Sequence, residues 1–208
     1  MSQFSDRLKQ FTVKLPELDG QGVLVRGGFI ITAAHCFQWD YNDGAGMALG
    51  DHVPVVVSTA SGKQFRCGPY FVDIANDLAV LGMLDNQVFV DDCDKFETFC
   101  DENEGFDVCR TLPPPYEDFP LEVWSHEGFS FDCTGSIWDP IARYVFMQGP
   151  VKGGTSGGPI LTKSGHLLSI VSNSSNARGC EVESDEDQIG RNPILWKCLP
   201  EFIREQLE

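Results

Sequence analysis

The feature that most limits the fold of this chain is a repeated texture. Short apolar runs, rich in β-branched and aromatic residues, are each cut off by Gly, Pro, Asn or Asp. Val23–Val25, Phe29–Thr32, Val53–Val57, Leu78–Leu81, Leu121–Trp124, Tyr144–Met147 and Leu167–Val171 are such runs. Side chains branched at Cβ are stiff and pack well on a pleated surface, so each run predicts a strand. Turn signals fall between them at Gly27-Gly28, Asn42-Asp43-Gly44, Ser61-Gly62, Gly149-Pro150 and Ser164-Gly165. Many short strands at regular spacing predict an all-β barrel or sandwich. Helical patterning is confined to Ser5–Phe11 and Pro200–Leu207. The second places Phe202, Ile203 and Leu207 on one face and Glu201, Arg204 and Glu205 on the other. The acidic stretch Asp91–Asp118, with Cys93, Cys100, Cys109 and Pro113-Pro114-Pro115, reads as a connection between two halves.

A chain of 208 residues suffices for one ordinary domain or two small subdomains sharing a core. Its 31 Asp+Glu against 15 Lys+Arg give a formal charge of -16, which repels phosphate backbones. A general nucleic-acid or anionic-membrane binder is therefore excluded, and neutral or basic surfaces are the expected partners. No stretch approaches the roughly 20 apolar residues of a spanning helix. Met1 to Leu8 hold no basic segment followed by an apolar core, so no signal peptide is expected. No internal repeat is visible.

Three strings carry chemistry. Ile30-Ile31-Thr32-Ala33-Ala34-His35-Cys36 runs from an apolar strand into a histidine. Asn76-Asp77-Leu78-Ala79-Val80-Leu81 sets an aspartate at the mouth of another. Gly153-Gly154-Thr155-Ser156-Gly157-Gly158-Pro159 holds a serine in a glycine-rich turn before Ile160-Leu161. A serine hydroxyl attacks a carbonyl only when a base removes its proton, and histidine titrates in the right range. A carboxylate on the far ring nitrogen fixes the tautomer and stabilises the imidazolium. Glycines allow a turn tight enough to aim amide N–H groups at one oxyanion, with Gly154 and Ser156 as the donors. Any one string alone is a weak signal. Asp73 competes with Asp77, but only Asp77 directly precedes the Leu-Ala-Val-Leu strand. His52, His126 and His166 lack comparable surroundings and read as surface or packing residues.

In the order His, Asp, Ser, these strings resemble the chymotrypsin-like (trypsin-fold) serine peptidases, over nearly the whole chain from about Gly20. The resemblance implies two antiparallel six-stranded β-barrels with a cleft between them and a C-terminal helix. The expected division is residues 1–108, carrying His35 and Asp77, and residues 109–208, carrying Ser156 and the helix. It also implies His35 as general base, Asp77 as its orienter and Ser156 as nucleophile. The rate is then expected to rise with pH through the titration of His35, at about 6 to 8.

Departures from the family pattern carry their own implications. Thr155 stands where the digestive and clotting branch has an aspartate that pairs with a newly freed N-terminal ammonium. No Ile-Val-Gly-Gly-like activation string lies near the start. The chain is thus closer in character to bacterial and HtrA-like members, whose oxyanion hole forms without N-terminal cleavage. Secreted members bridge the cysteine after the histidine to the preceding strand, but Gly20 to Ile31 contain no cysteine. Cys36 then reads as a buried free thiol, and a reducing cytoplasm as the setting. The spacings of Cys93, Cys100 and Cys109 match no zinc signature, and neither metal nor cofactor is expected.

By the same resemblance the substrate pocket is lined by Pro150, Val151, Ser172, Asn173, Ser174 and Ile194. The aspartate that trypsin-like members carry near Pro150 is missing, and Ile194 shortens the pocket, which favours small or medium apolar side chains. The acidic loop Glu181 to Asp187 could instead draw a basic residue to the rim, or be a solvated face. The expected partner is a protein or peptide substrate, including one dedicated partner protein, with no nucleic acid and no membrane, and a monomer as the default. Two other readings stay open: a binding or scaffold module on a retired peptidase fold, and a self-processing domain of a polyprotein.

Overall fold

A computed structural model describes residues 5–37, 54–73, 76–125, 127–138, 144–147, 154–172 and 194–206. It is mostly β. The first half is a closed barrel of β1 (Thr12–Leu15), β2 (Gly20–Val25), β3 (Phe29–Thr32), β4 (Val55–Ser58), β5 (Gln64–Asp73) and β6 (Leu78–Gly82), in the order β1-β2-β3-β6-β5-β4. Every pairing is antiparallel, and Lys14 opposite Ser58 closes the ring between β1 and β4. Val13, Leu15, Val23, Val25, Ile30, Ile31, Val57 and Leu81 are fully buried. Each such side chain contributes about 1.5–3 kcal/mol relative to exposure, so the barrel has a rigid apolar centre.

The second half is a six-stranded antiparallel sheet. It comprises β7 (Asp118–Trp124), β8 (Ser130–Trp138), β9 (Tyr144–Met147), β10 (Pro159–Thr162), β11 (Leu167–Ile170) and β12 (Ile194–Lys197), ordered β11-β10-β7-β8-β9-β12. Its own core is Cys109, Leu121, Val123, Ile137, Ile160, Leu168, Val171 and Cys198. Among the described residues these six strands form one sheet, with no ladder joining β12 to β11. The nearest approach to closure lies just past β12, where Leu199 N–H donates to Leu168 C=O at 3.1 Å.

Two short helices fall where periodicity put them, α1 (Ser5–Phe11) and α3 (Glu201–Gln206). Within α3 the expected polar face is corrected at Arg204. It is buried beside Ile203, because its guanidinium donates to the carbonyls of Leu199 (3.1 Å) and Arg110 (2.6 Å). The acidic connection is corrected as well. It opens with α2 (Val90–Glu102), which buries Cys93, Phe96 and Phe99 and leaves Asp91, Asp94, Glu97, Asp101 and Glu102 in solvent. Phe96 and Phe99 pack on Phe65 of β5, with ring centroids 5.7 and 5.5 Å away. Past α2 the chain docks on the barrel through Phe106, which exchanges backbone hydrogen bonds of 3.0 Å with Leu24 and Arg26. It then meets the sheet, where Leu167 N–H donates to Asp107 and Cys109 N–H to Leu167, both at 2.8 Å. The first core cluster therefore joins barrel residues to Trp124, Leu161, Leu167, Ile170, Leu199 and Ile203.

Candidate functional site

The three strings meet between the halves. His35 leaves β3 on a single 3-10 turn, Ala34–Phe37. Asp77 sits one residue before β6, the neighbour of β3, so the ladder itself brings the two together. Asp77 occupies the left-handed region at φ 51°, which Asp and Asn tolerate better than bulkier residues. It grips His35 twice. One carboxylate oxygen accepts the His35 backbone N–H at 2.7 Å, and the other lies 2.7 Å from ring Nδ1. On the far side of the ring, His35 Nε2 is 2.9 Å from Ser156 Oγ, although 121 residues separate the two. With Nδ1–H donating to an ionised Asp77, a neutral ring presents Nε2 as acceptor for the serine hydroxyl.

The hydrogen bond to Asp77, followed by the contact with Cys36, raises the His35 pKa well above its ordinary 6.5, despite opposition from burial. A raised pKa keeps the ring protonated to higher pH, and only the neutral ring can take a proton. The range of about 6 to 8 expected for His35 in the sequence therefore moves upward.

Ser156 lies on a turn just before β10. Gly157 has φ +80°, and a Cβ there would meet the Gln21 carbonyl oxygen at 1.9 Å, so only glycine lets the turn press against β2. Gly157 N–H donates to Val171 at 2.6 Å, and Val171 N–H returns a bond of 2.8 Å to Gly158. Gly154 also has positive φ, +80°. Thr155, between the two, is buried at 1% exposure.

Of the residues assigned to the pocket, Pro150, Val151, Asn173 and Ser174 lie outside the described residues. Ile194 opens β12 opposite Met147. Ser172, expected to line the substrate pocket, uses its hydroxyl to donate to the same Asp77 oxygen that faces the imidazole. Position alone did not announce this, since nothing in the run Leu167–Val171 tells which way the next side chain turns. Asp73, the rival aspartate, accepts from the backbone and side-chain amides of Asn76 and so braces the turn that presents Asp77. His166 is exposed, with Nδ1 2.8 Å from Ser164 Oγ; His52 and His126 lie outside the described residues.

Cys36 is a buried free thiol whose Sγ stands 4.0 Å from His35 Nε2. Facing it is Gly20, where a Cβ would come 2.7 Å from that sulfur and 3.5 Å from its Cβ. A side chain there would crowd the thiol, and as a glycine it offers Cys36 no second sulfur. Burial pushes the Cys100 thiol up to about 11 and that of Cys133 to about 12, which keeps both in the unreactive protonated form at neutral pH. Among the described residues no cluster of His, Cys, Asp and Glu is arranged to hold a metal ion, and no helix is long and apolar enough to cross a membrane.

No protein-family model and no curated protein matches the chain. Solved structures do. A mutant of Rv3671c from M. tuberculosis, in its inactive form, superposes with a TM-score of 0.58 at 15% identity, over 97% of this chain and 87% of that one. The Rv3671c protease, also inactive, gives 0.54 at 16% identity over 84% and 83%. A serine endoprotease from Yersinia pestis gives 0.56 at 14% identity, covering 99% of this chain and 65% of its own length. The chain has the fold of the chymotrypsin-like serine peptidases, and its structural neighbours are serine proteases.

Proposed function

We propose that the chain is a serine endopeptidase that cleaves a protein substrate through an acyl-enzyme. The observation that carries this reading is the position of His35, with Nδ1 on Asp77 and Nε2 on Ser156 at 2.7 and 2.9 Å. A structural histidine has no need of a serine hydroxyl at one nitrogen and a carboxylate at the other. In this reading Ser156 Oγ attacks the scissile carbonyl carbon while His35 Nε2 takes its proton, and Asp77 stabilises the imidazolium. The tetrahedral oxygen is held by the N–H groups of Gly154 and Ser156. The imidazolium then protonates the leaving amine, and water, activated by His35, releases the acid and restores Oγ–H. Ser172 keeps Asp77 in place through the carboxylate oxygen that also faces the base.

The barrel half, residues 1–108, supplies base and orienter; residues 109–208 supply the nucleophile and the pocket walls. Thr155 offers no charge to a new N-terminus, so the enzyme works without zymogen-type cleavage. The thiol of Cys36 and the likeness to bacterial proteases support a bacterial enzyme in a reducing cytoplasm, with a protein or peptide as substrate and a monomer as the default. Small or medium apolar side chains are the preference at the cleaved bond.

A fluorophosphonate probe, which reacts with activated serines, is expected to label the wild type and to leave Ser156→Ala unlabelled. A folded wild type that does not label between pH 6 and 10 overturns the reading in favour of a binding module. Those bounds are set about the ordinary histidine range and extend upward because the His35 pKa is raised.

A further inference from the structure

We propose that Gln21 is a positioning residue that holds the nucleophile turn ready for reaction, by neutral hydrogen bonds across the seam between the halves. The inference rests on the peptidase reading and says how its oxyanion site is kept in order. Gln21 lies on β2, in the barrel, and is 2% exposed. Its side-chain Nε2 donates to the Gly154 carbonyl at 3.0 Å, and its backbone N–H donates to the Ser156 carbonyl at 2.7 Å. Its own carbonyl accepts the Thr32 hydroxyl at 2.6 Å, which steadies the donor residue.

Peptide units are planar, so fixing a carbonyl fixes the N–H that follows it. Three successive units, from Gly154 to Gly157, have their carbonyls occupied. Gln21 takes the first and third, and Gly158 N–H takes that of Thr155 at 2.9 Å. The middle unit carries the Ser156 N–H, one of the two proposed oxyanion donors. Gly154 N–H, the other, belongs to the preceding unit; Gly154 is a glycine at positive φ with glycine before it, so this end of the turn is anchored only where something holds the Gly154 carbonyl. The Gln21 amide is the side chain that does so. In relatives activated by cleavage an ion pair orders this turn; Thr155 has no charge for one. A buried amide from the opposite half supplies the constraint without an activation step and without a titrating group.

The test uses the fluorophosphonate probe with saturation kinetics, which separate probe affinity from the rate of phosphonylation. Gln21→Met keeps length and removes the donor. Gln21→Asn keeps an amide but withdraws it by about 1.5 Å, one C–C bond. In both variants the phosphonylation rate is expected to fall roughly ten- to hundredfold, less than for loss of a direct oxyanion donor. Probe affinity and the pH midpoint of labelling are expected to stay at wild-type values, because pocket and base are untouched. A general loosening of the fold would instead lower affinity and melting temperature together, and that pattern overturns the inference. So does wild-type phosphonylation in either folded variant. Should Gln21→Met fail to fold, Gln21→Asn decides between these outcomes. An unlabelled wild type overturns the peptidase reading, and this role with it; a labelled wild type with unaffected variants overturns this role alone.

Discussion

Asp77 and Asp92 hold their partners in the same way and to different ends. Each carboxylate accepts one backbone N–H and one side-chain N–H from a single residue. Asp77 takes both from His35 at 2.7 Å, and Asp92 takes both from Arg66 at 2.9 Å. Asp92 belongs to α2 and Arg66 to β5, so this grip pins the helix to the barrel, with the guanidinium also lying 4.9 Å above the Phe89 ring. The two-point grip is therefore no mark of function. What separates the sites is the partner. Arginine stays charged at any pH the fold survives, and has no third group to serve. Histidine can lose its proton, and its second nitrogen faces a hydroxyl.

The largest effect expected from breaking this parallel is at Asp77. Asp77→Asn suits the left-handed backbone and should keep the fold, lowering stability by no more than the His35 pair contributes, while cutting the labelling or cleavage rate by about 10⁴. Near wild-type turnover would make Asp77 a structural grip like Asp92. Next comes the converse substitution. Arg66→Met is expected to destabilise the fold by about 1–3 kcal/mol, read by urea melting, because it leaves the buried Asp92 carboxylate short of partners. The rate per folded molecule should not change. The smallest effect sharpens the contrast through pH. Burial alone would raise the Asp92 pKa, but the hydrogen bonds and charge of Arg66 outweigh it and hold it below 3.8. Its contribution is present above 3.8 and fades as pH falls through the depressed value. The His35–Asp77 pair runs the other way: it is fully present below 6.5 and fades as pH rises through the raised pKa of His35. Asp92→Asn should flatten the acid limb of a stability profile, and His35→Gln the alkaline limb.

Much of the barrel was legible because its strands are buried on one or both faces and read as continuous apolar runs: β2, β3 and β6 are of this kind. Strands with a wet face were not. In β5, polar residues at Gln64 and Arg66 alternate with buried Phe65 and Cys67, and a Gly-Pro step precedes a register shift between Pro69 and Phe71. In β8, Asp132, Cys133 and Thr134 interrupt the pattern in the same way. Helix α2 hid behind its charge, since five exposed acids drew attention from the buried Cys93, Phe96 and Phe99. At the candidate site, His35, Asp77 and Ser156 were singled out by three strings that together resemble a known family, and the three side chains lie within hydrogen-bond reach of one another. Gln21, and the hydroxyl contact of Ser172 with Asp77, were not readable. Both act across more than ninety residues of sequence, through contacts that exist only once the halves have docked.

That docking gives the molecule a fragility of its own. The turn bearing Ser156 is tied to a strand of the opposite half, so a separation of an ångström or two would disarm the serine while every strand kept its neighbours. Catalytic competence would then report how firmly the halves are clasped, and should vanish in mild denaturant before spectroscopic signs of unfolding.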